Sequence, residues 1–277
     1  MLITRMPGWL KVICYLGLTL AGLIYISPYL WMIMSSFRPS TEPFALGIFP
    51  HSWTIQNYIR TLKDPDLTSA FFNSFKVAFS SASLALLLGI PAGYSFARFR
   101  FRGRDLMMAF LMVVPTFPGI LLAITLFVMA VKLGLYDTHY PLIVANTLLN
   151  LSFTIWNLRT VFESTTREIE ESAMVEGCSR LQALIRVVLP VTLPGLASTF
   201  SFVYILSWNE YLFATTFIST SEKRLITTTM ASAIGQFNVD YAKLIPAAIL
   251  STLPLIVLFM VIQRYIIKGL AMGSTKG

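Results

Sequence analysis

Long apolar stretches separated by polar segments dominate this 277-residue chain. A helix needs roughly 20 mostly apolar residues to cross a bilayer, and six stretches approach that length. Backbone groups inside lipid must be hydrogen-bonded within their own segment, so each stretch is predicted to be a helix. The pattern predicts an all-α membrane protein with a single domain of six transmembrane helices. The six spans cover residues 12–34, 76–97, 107–131, 141–159, 196–218 and 245–267.

The composition agrees with a membrane protein, and the charges indicate its orientation. Only 12% of the residues are charged, whereas soluble domains contain about 25%. Of the 21 lysines and arginines, thirteen fall on the side of the two termini and eight on the other side, and the loop 98–104 alone holds four. By the positive-inside rule, both termini are predicted to be cytoplasmic. The net charge of +8 is therefore a sign of topology and requires no nucleic acid partner.

Small residues and prolines inside the spans indicate how the helices pack. Every fourth position of span two is small, at Ser81, Ala85, Gly89, Gly93 and Ala97. Residues four apart share one helical face, and small side chains let another helix approach closely. This stripe is predicted to pack against a neighbouring span of the same chain. Prolines in or at the ends of spans, such as Pro115 and Pro118 in span three, are predicted to bend the helix axis.

Two spans carry polar side chains that lipid would disfavour. Asn146 and Asn150 lie near one face of span four, which is predicted to look into the bundle or a wet cavity. Span five contains Trp208, Asn209 and Glu210 near its outer end, and Glu210 is the only carboxylate well inside a span. An intramembrane carboxylate suggests a functional site. A structural hydrogen bond between helices explains Glu210 equally well.

The polar segment 163–195, between spans four and five, is predicted to hold two short helices. Thr165 and Ser179 are each followed three residues later by glutamate or glutamine, the capping-box pattern that opens a helix. Gly177 lies between them, where the end of a helix favours a residue in the left-handed conformation. Pro190 is predicted to end the second helix.

The two predicted helices differ in the surface that they offer. The second carries apolar residues at the helical spacing i, i+3, i+4 and i+7, namely Leu181, Leu184, Ile185 and Val188. The first helix is acidic, and acidic side chains bind poorly to an anionic inner leaflet. We therefore expect a protein partner on the cytoplasmic side to bind this loop.

A small interfacial helix is also predicted at 54–63, on the outer side.

A spaced motif in the same loop resembles that of a known family. Glu171-Ser172-Ala173, Gly177 after three residues, and Val187-Val188-Leu189-Pro190 after nine more resemble the Glu-Ala-Ala-x3-Gly-x9-Ile-x-Leu-Pro motif of ABC importer permeases. The serine and the first valine depart mildly from that motif, while the spacing is kept. Further likeness to the second permease subunit of the maltose-type carbohydrate importers lies at Asn57-Tyr58, Trp208–Leu212 and the tail 269–277.

The resemblance implies a fold, a mechanism and partners. The chain would form half of a translocation pathway, paired with a second, different permease subunit in a bacterial or archaeal inner membrane. Two cytoplasmic ATPase subunits would drive alternating access through the coupling helices of the loop, and an external solute-binding protein would deliver a sugar or sugar derivative. The chain has no phosphate-binding Gly-x4-Gly-Lys-[Ser/Thr] motif. ATP hydrolysis is therefore expected in the partner, and no cofactor is expected in this chain.

The resemblance also assigns roles to particular residues. Those expected to couple to the ATPase are Glu171, Ser172, Ala173, Gly177, Leu181, Leu184, Ile185, Leu189 and Pro190. Those of the C-terminal tail expected to reach the ATPase interface are Gly273, Lys276 and Gly277. The polar and aromatic residues expected along the substrate pathway are Asn146, Asn150, Trp208, Asn209 and Glu210.

Two other classes of protein are alternatives to a permease. A self-contained secondary carrier could use Glu210 as its ion-coupling site, although such carriers often show internal repeats and none is evident here. A membrane-embedded enzyme would need paired carboxylates, a cluster of metal ligands or a nucleophile with its base, and the spans contain none of these patterns. Both the importer and the carrier stay open at this stage.

Overall fold

Helices form almost all of the chain in the computed structural model, which describes residues 7–41, 49–234 and 239–273, with side chains as far as Gln263. In these ranges the only extended pairing is an isolated bridge between Ile234 and Val239. The helices in chain order are α1 Gly8–Ser36, α2 Gln56–Lys63, α3 Pro65–Arg98, α4 Arg104–Val113, α5 Gly119–Lys132, α6 His139–Ser164, α7 Arg167–Val175, α8 Arg180–Ala183, α9 Leu189–Trp208, α10 Leu212–Phe217, α11 Ile226–Ser232 and α12 Tyr241–Gly273.

Five helices of the described residues are long and apolar enough to cross a membrane. Four of them, α1, α3, α6 and α12, contain the predicted spans 12–34, 76–97, 141–159 and 245–267. The fifth is the continuous helix Arg180–Trp208, and the bent pair Arg104–Thr116 and Gly119–Lys132 would make a sixth span. The prediction of several apolar membrane helices is therefore confirmed, with differences in spans three and five.

Span three is predicted over 107–131 with a bend at its prolines. The bend is confirmed, but the helix is broken there rather than continuous. Its two halves meet at an angle of 91°. Phe117 and Pro118 both have extended backbone at the break. A proline disfavours the helical conformation of the residue before it and cannot donate an N–H, so the helix ends there and starts again at Gly119.

Span five was predicted over 196–218 with a helix end at Pro190, and both boundaries are wrong. The residues Leu184–Val188 form a π-helical turn, in which the N–H of Leu189 donates to the carbonyl of Leu184 five residues back. This wider turn resets the hydrogen-bonding register just before Pro190, whose missing N–H is tolerated in the first turn of α9. At its other end the helix stops at Trp208, and the shorter α10 follows.

The chain divides into two units, of which the first is Met1–Asp64 with Ala233–Leu250. The predicted small helix at 54–63 is confirmed as α2. The side-chain amide of Asn57 donates to the carbonyls of Ser36, at 3.1 Å, and Arg38, at 2.7 Å. The hydroxyls of Ser36 and Tyr58 lie 2.7 Å apart. These bonds attach α2 to the end of α1, whose apolar side chains are exposed in this chain.

The second unit, Pro65–Ser232 with Ser251–Gly277, is organised around α3. Its small-residue stripe faces α6, so the predicted packing within the chain is confirmed. A Cβ at Gly89 would lie 2.6 Å from a methyl group of Thr154, and one at Gly93 would lie 2.9 Å from the Cβ of Leu158. The backbones of α3 and α6 approach each other closely because these two positions carry no side chain.

Another face of α3 packs against α9 through two rows of aromatic rings. The rings of Phe71 and Trp208 lie 5.7 Å apart, and those of Phe79 and Phe200 lie 5.6 Å apart. Tyr204 occupies the middle of the row on α9 and contacts the ring of Phe75. Since the residue number rises along α3 as it falls along α9, the two helices are antiparallel. Edge-to-face rings of this kind add to the burial of apolar surface.

We expect Gly93→Ala to lower the free energy of unfolding by about 1 to 3 kcal/mol, the usual cost of overpacking. The new Cβ would lie 2.9 Å from the Cβ of Leu158 and 3.1 Å from the backbone nitrogen of Arg159, and neither atom can rotate away. Thermal unfolding of the detergent-purified protein measures the effect. Gly22→Ala in α1 is the matched control, because a Cβ there meets no atom within 4 Å. Equal stability of the two variants would contradict the tight packing.

Candidate functional site

The loop after α6 folds as a helix, a bend and a second helix, as predicted. Gly177 forms the bend with a φ of +97°, a conformation that residues with a side chain rarely adopt. Ser179 then opens α8 with a complete capping box, because its hydroxyl accepts from the N–H of Gln182 and the side chain of Gln182 accepts from the N–H of Ser179. The predicted bend at Gly177 and the cap at Ser179 are confirmed.

The predicted capping box at Thr165 is wrong. Helix α7 begins after Thr166 and has no side-chain cap. The hydroxyl of Thr165 instead donates to the carbonyl of Val161, one turn back in α6. Thr165 thus belongs to the end of α6 rather than to the start of α7, because the chain closes the first helix before it opens the second.

The predicted apolar stripe divides between the surface and the core. Leu181 is 65% exposed and Ile185 is 56% exposed, whereas Leu184 is 7% exposed and Val188 is fully buried. The two buried residues join a core cluster with Tyr94, Leu158 and Phe162 from α3 and α6. The loop therefore rests on the membrane helices through one side and presents apolar side chains on another.

The motif residues of α7 and the bend divide in a similar way. Glu171, Ser172 and Gly177 are exposed, and Ala173 is buried. Leu189 is half-buried at the start of α9, and Pro190 next to it is exposed. The loop thus presents an acidic residue, a hydroxyl and a glycine without a side chain, together with Leu181 and Ile185. The exposed apolar and acidic groups are available for a protein contact.

Sequence reasoning missed Glu170, which is buried between α7 and α3. Only 4% of its surface is exposed. One carboxylate oxygen accepts from Nε of Arg98 at 2.9 Å, and the other accepts from the hydroxyl of Tyr94. One signal could have identified it, since Glu170 lies three residues before Ala173 and so shares a helical face with this small residue of the motif. An acidic residue on a small-residue face needs a partner when that face is packed.

The polar residues of span four face the bundle interior. Asn146 and Asn150 are buried, and the amide of Asn150 donates to the carbonyl of Asn146 at 2.8 Å. Further along the same face, the amide of Asn157 donates to the hydroxyl of Thr199 on α9 at 2.8 Å. This bond shows that the asparagine face of α6 is turned toward α9.

The polar end of span five is divided between core and surface. Trp208 is buried, with its ring stacked 5.8 Å from that of Tyr204, and Asn209 is exposed just beyond the end of α9. The carboxylate of Glu210 accepts from the backbone N–H groups of Phe213, at 2.6 Å, and Ala214, at 2.9 Å. Glu210 thus caps the first turn of α10, which gives it a structural role.

Asp137, between α5 and α6, organises the segment 219–223 at the other end of α3 from Arg98. Its carboxylate accepts from the backbone N–H of Ser219 at 2.9 Å, from the N–H and hydroxyl of Thr220, and from the ammonium of Lys223 at 2.9 Å. These hydrogen bonds, with the Thr220 hydroxyl contributing most, hold the pKa of the Asp137 carboxyl well below its usual range. Sequence reasoning assigned no role to this residue.

The C-terminal tail is described only in part. Gly273 is the last residue of α12, whereas Lys276 and Gly277 lie outside the described residues. Within the described part of the chain, no group of three or more histidine, cysteine or acidic residues is arranged to hold a metal ion.

The long apolar helices and the exposed helical loop between α6 and α9 are the features of a multi-pass membrane protein. Residues 85–272 match the family described as the inner membrane component of binding-protein-dependent transport systems. The chain belongs to this family, whose members are permease subunits of ABC importers, and is a multi-pass inner membrane protein. The resemblance inferred from the loop motif is confirmed.

Individual proteins agree with the family match. The chain is 32% identical to the inner membrane ABC transporter permease protein YcjP of Escherichia coli K12, over 95% of each chain. It is 30% identical to the trehalose/maltose transport system permease protein MalG of Thermococcus litoralis, over 96% of this chain and 97% of that one. A chain of a bacterial ABC transporter involved in import of the acidic polysaccharide alginate shares the fold, with a TM-score of 0.79 and 21% identity over 94% of this chain and 98% of that one.

We expect Glu170→Ala to destabilise the protein by about 3 to 5 kcal/mol, the usual cost of leaving one partner of a buried ion pair alone. The variant would leave the Arg98 guanidinium, whose side chain is 6% exposed, without its carboxylate. Thermal unfolding in detergent gives the comparison. Glu163→Ala is the control, because it removes an exposed ion pair with Arg104 that should contribute about 0 to 1 kcal/mol. Similar losses of stability in both variants would contradict the expectation that burial makes the Glu170–Arg98 ion pair costly to break.

We expect Asp137→Asn to speed hydrogen exchange in residues 219–223 at pH 7 by about fivefold, equivalent to roughly 1 kcal/mol of hydrogen bonding. Because the folded-state pKa is lowered, the stabilisation is fully present above the unfolded value of about 3.9 and is lost as the pH falls below it. The difference between parent and variant should therefore shrink below about pH 4. Exchange followed by mass spectrometry, with peptides of α6 as the internal control, measures both effects. A difference that persists unchanged at low pH would contradict the carboxylate's role.

Proposed function

We propose that this chain is one permease subunit of an ABC importer for a sugar or a sugar derivative. It would form half of the translocation pathway with a second, different permease subunit and change between inward-open and outward-open states. Two cytoplasmic ATPase subunits would drive that change, and an external solute-binding protein would deliver the solute. The observation that carries the proposal is the exposed, motif-bearing loop that is anchored to the membrane helices at the Arg98 end of α3.

The proposed ATPase contact consists of the exposed residues of this loop. Glu171 offers a carboxylate for a charge-assisted hydrogen bond to a basic side chain or backbone donor of the ATPase. Leu181 and Ile185 offer the apolar surface that the centre of a protein interface requires. Gly177 has no side chain and so leaves room for close approach. Ser172 and Pro190 extend this surface, while Ala173, Leu184 and Leu189 pack beneath it or at its edge.

The orientation of the chain in the membrane is inferred from the distribution of its charges. The loop 98–104 and the segment 163–195 lie on the side with more arginine and lysine, which supports a cytoplasmic position for both and for the two termini. The tail residues Gly273, Lys276 and Gly277 would then be on the same side as the ATPase and could reach its interface.

A sugar is supported by the relatives and by the side chains of the bundle. The name of MalG gives trehalose and maltose as the solutes of its system, and the alginate importer acts on a polysaccharide. Amides such as those of Asn146, Asn150 and Asn209 can bind sugar hydroxyls, and an aromatic ring such as that of Trp208 can pack against a sugar ring. We propose that the pathway runs past these residues, with exposed Asn209 lining it and buried Asn146, Asn150 and Trp208 forming the wall behind. Glu210 would shape the outer end of the pathway through α10.

We expect Gly177→Asp to abolish binding of the ATPase, and with it uptake, while membrane insertion is kept. The substitution would put a side chain and a negative charge at a position with a φ of +97°. The chain is co-expressed with candidate ATPase, second permease and binding-protein subunits from the same organism, and co-purification and ATP hydrolysis are measured. Gly134→Asp is the matched control, because Gly134 also has a positive φ, of +68°, and no atom within 4 Å of an added Cβ, but lies between α5 and α6.

Three outcomes bear on the proposal. Loss of ATPase binding in Gly177→Asp alone supports the coupling role of the loop. Normal substrate-stimulated ATP hydrolysis by a purified Gly177→Asp complex would overturn that role. Uptake of labelled maltose or trehalose by the parent chain alone in liposomes, driven by a pH gradient without ATP, would instead support a secondary carrier.

A further inference from the structure

We propose that Glu170 is a positioning residue that makes the loop and the α3–α6 pair move as one body. This inference rests on the proposed function, in which an ATPase moves the loop. Glu170 itself faces away from the exposed surface of α7 and is buried against α3. Its role would be to carry displacement of α7 into the membrane helices, and not to contact the ATPase.

Two side chains of α3 hold the carboxylate of Glu170. Tyr94 and Arg98 stand four residues apart on the last turns of α3, so both project from one face of that helix. Each binds a different oxygen of Glu170. A carboxylate held by two donors from one helix can neither slide along it nor rotate away without losing a bond. Helix α7 is thereby fixed to α3 in position and in direction.

The same arginine also holds α6. One terminal nitrogen of Arg98 donates to the carbonyl of Thr165, the residue at the C-terminal end of α6, at 3.1 Å. In the reverse direction, Arg167 of α7 donates to the carbonyl of Ala97 at 3.3 Å. Both carbonyls belong to the ends of helices, where no intrahelical donor is available. Three helix ends are therefore joined around one buried ion pair.

The side chains beneath the ion pair are tightly packed against α6. Tyr94, whose hydroxyl binds Glu170, packs its ring edge-on against Phe162 of α6 at 5.9 Å. Leu184 and Val188 of the π-helical turn belong to the same core cluster. This packing fixes Tyr94 in place, and moving α7 away from α3 would leave two buried charges unpaired, which is strongly unfavourable. Moving the three helices together breaks none of these contacts.

A nearby ion pair shows what makes Glu170 different. Glu163, at the end of α6, is bound by Arg104 at 3.0 Å and by Arg159 at 2.8 Å, but its side chain is 40% exposed. Water can replace either arginine there, so the exposed pair can exchange partners at little cost. At Glu170, burial removes that freedom. Glu163 is therefore the matched control for the proposal.

The experiment compares Glu170→Gln with Glu163→Gln in the complex with the ATPase, second permease and binding protein, reconstituted in liposomes. We expect Glu170→Gln to keep ATPase binding and most ATP hydrolysis, while labelled maltose or trehalose taken up per ATP falls about tenfold, within the range for residues on a coupling network. Glu163→Gln should leave that ratio unchanged. A Glu170→Gln complex that assembles and transports with the parent's ratio would overturn the proposal.

A second measurement follows the rigid body directly. Spin labels at exposed Val175 on α7 and exposed Leu87 on α3, after Cys14 and Cys178 are changed to serine, report the distance between these helices. We expect one narrow distance distribution in the parent, with and without ATP, and a broader one in Glu170→Gln. An equally narrow distribution in the variant would overturn the proposal.

If Glu170→Gln does not fold, Tyr94→Phe tests the same attachment of α7 to α3. It removes one hydrogen bond but leaves the ion pair and the ring packing, and we expect about a two- to threefold loss in uptake per ATP. An unchanged ratio together with an unchanged label distance would overturn the proposal. The label distance in the purified chain tests Glu170 without the partners, so failure of the parent to transport with ATP would count against the proposed function alone.

Discussion

The close approach of α3 to α6 is the constraint on which the second unit depends. Gly89 and Gly93 bring the backbones so near that an added Cβ would clash with Thr154 or Leu158. With that face occupied, α3 turns its aromatic row toward α9 and its last turn toward the loop. The spacing of these two helices therefore controls both the aromatic contacts in the bundle and the position of Tyr94 and Arg98 under α7.

Carboxylates then determine how the segments beyond the long helices are held. Glu170 joins α7 to α3, Glu210 binds the N–H groups that begin α10, and Asp137 gathers the segment around Thr220 and Lys223. A carboxylate that is buried or partly buried needs several donors, and each of these three takes them from a different part of the chain or from an adjacent helix start. The same requirement orders both ends of α3. It also explains why the loop at the Arg98 end is firmly attached rather than loosely tethered.

The helical loop illustrates which local features a sequence can predict. The bend at Gly177 and the cap at Ser179 follow from chemistry within a few residues, so they could be predicted correctly. The predicted cap at Thr165 is wrong because its hydroxyl has an equally local partner in α6. The predicted helix end at Pro190 is wrong because the π-helical turn before it accommodates a proline, which has no N–H to donate. The prolines of span three predict a bend, but the sequence does not show that the helix breaks completely at Pro118.

The sequence by itself determined the membrane class, four of the long helices, the small-residue face of α3 and the motif of the importer permeases, because each depends on a short-range period or spacing. Only the tertiary structure decided that Glu170, and not the neighbouring Glu171, is the acid locked to Arg98, and that Leu184 is buried while Leu181 is exposed. It also decided that the carboxylate of Glu210 caps a helix. The pairing of Glu170 depends on groups more than 70 residues apart in the chain, and the burial of Leu184 depends on its packing against α3 and α6. The role of Glu210 depends on α9 ending at Trp208, so that α10 begins within reach of its carboxylate. Tertiary packing decides each of these outcomes.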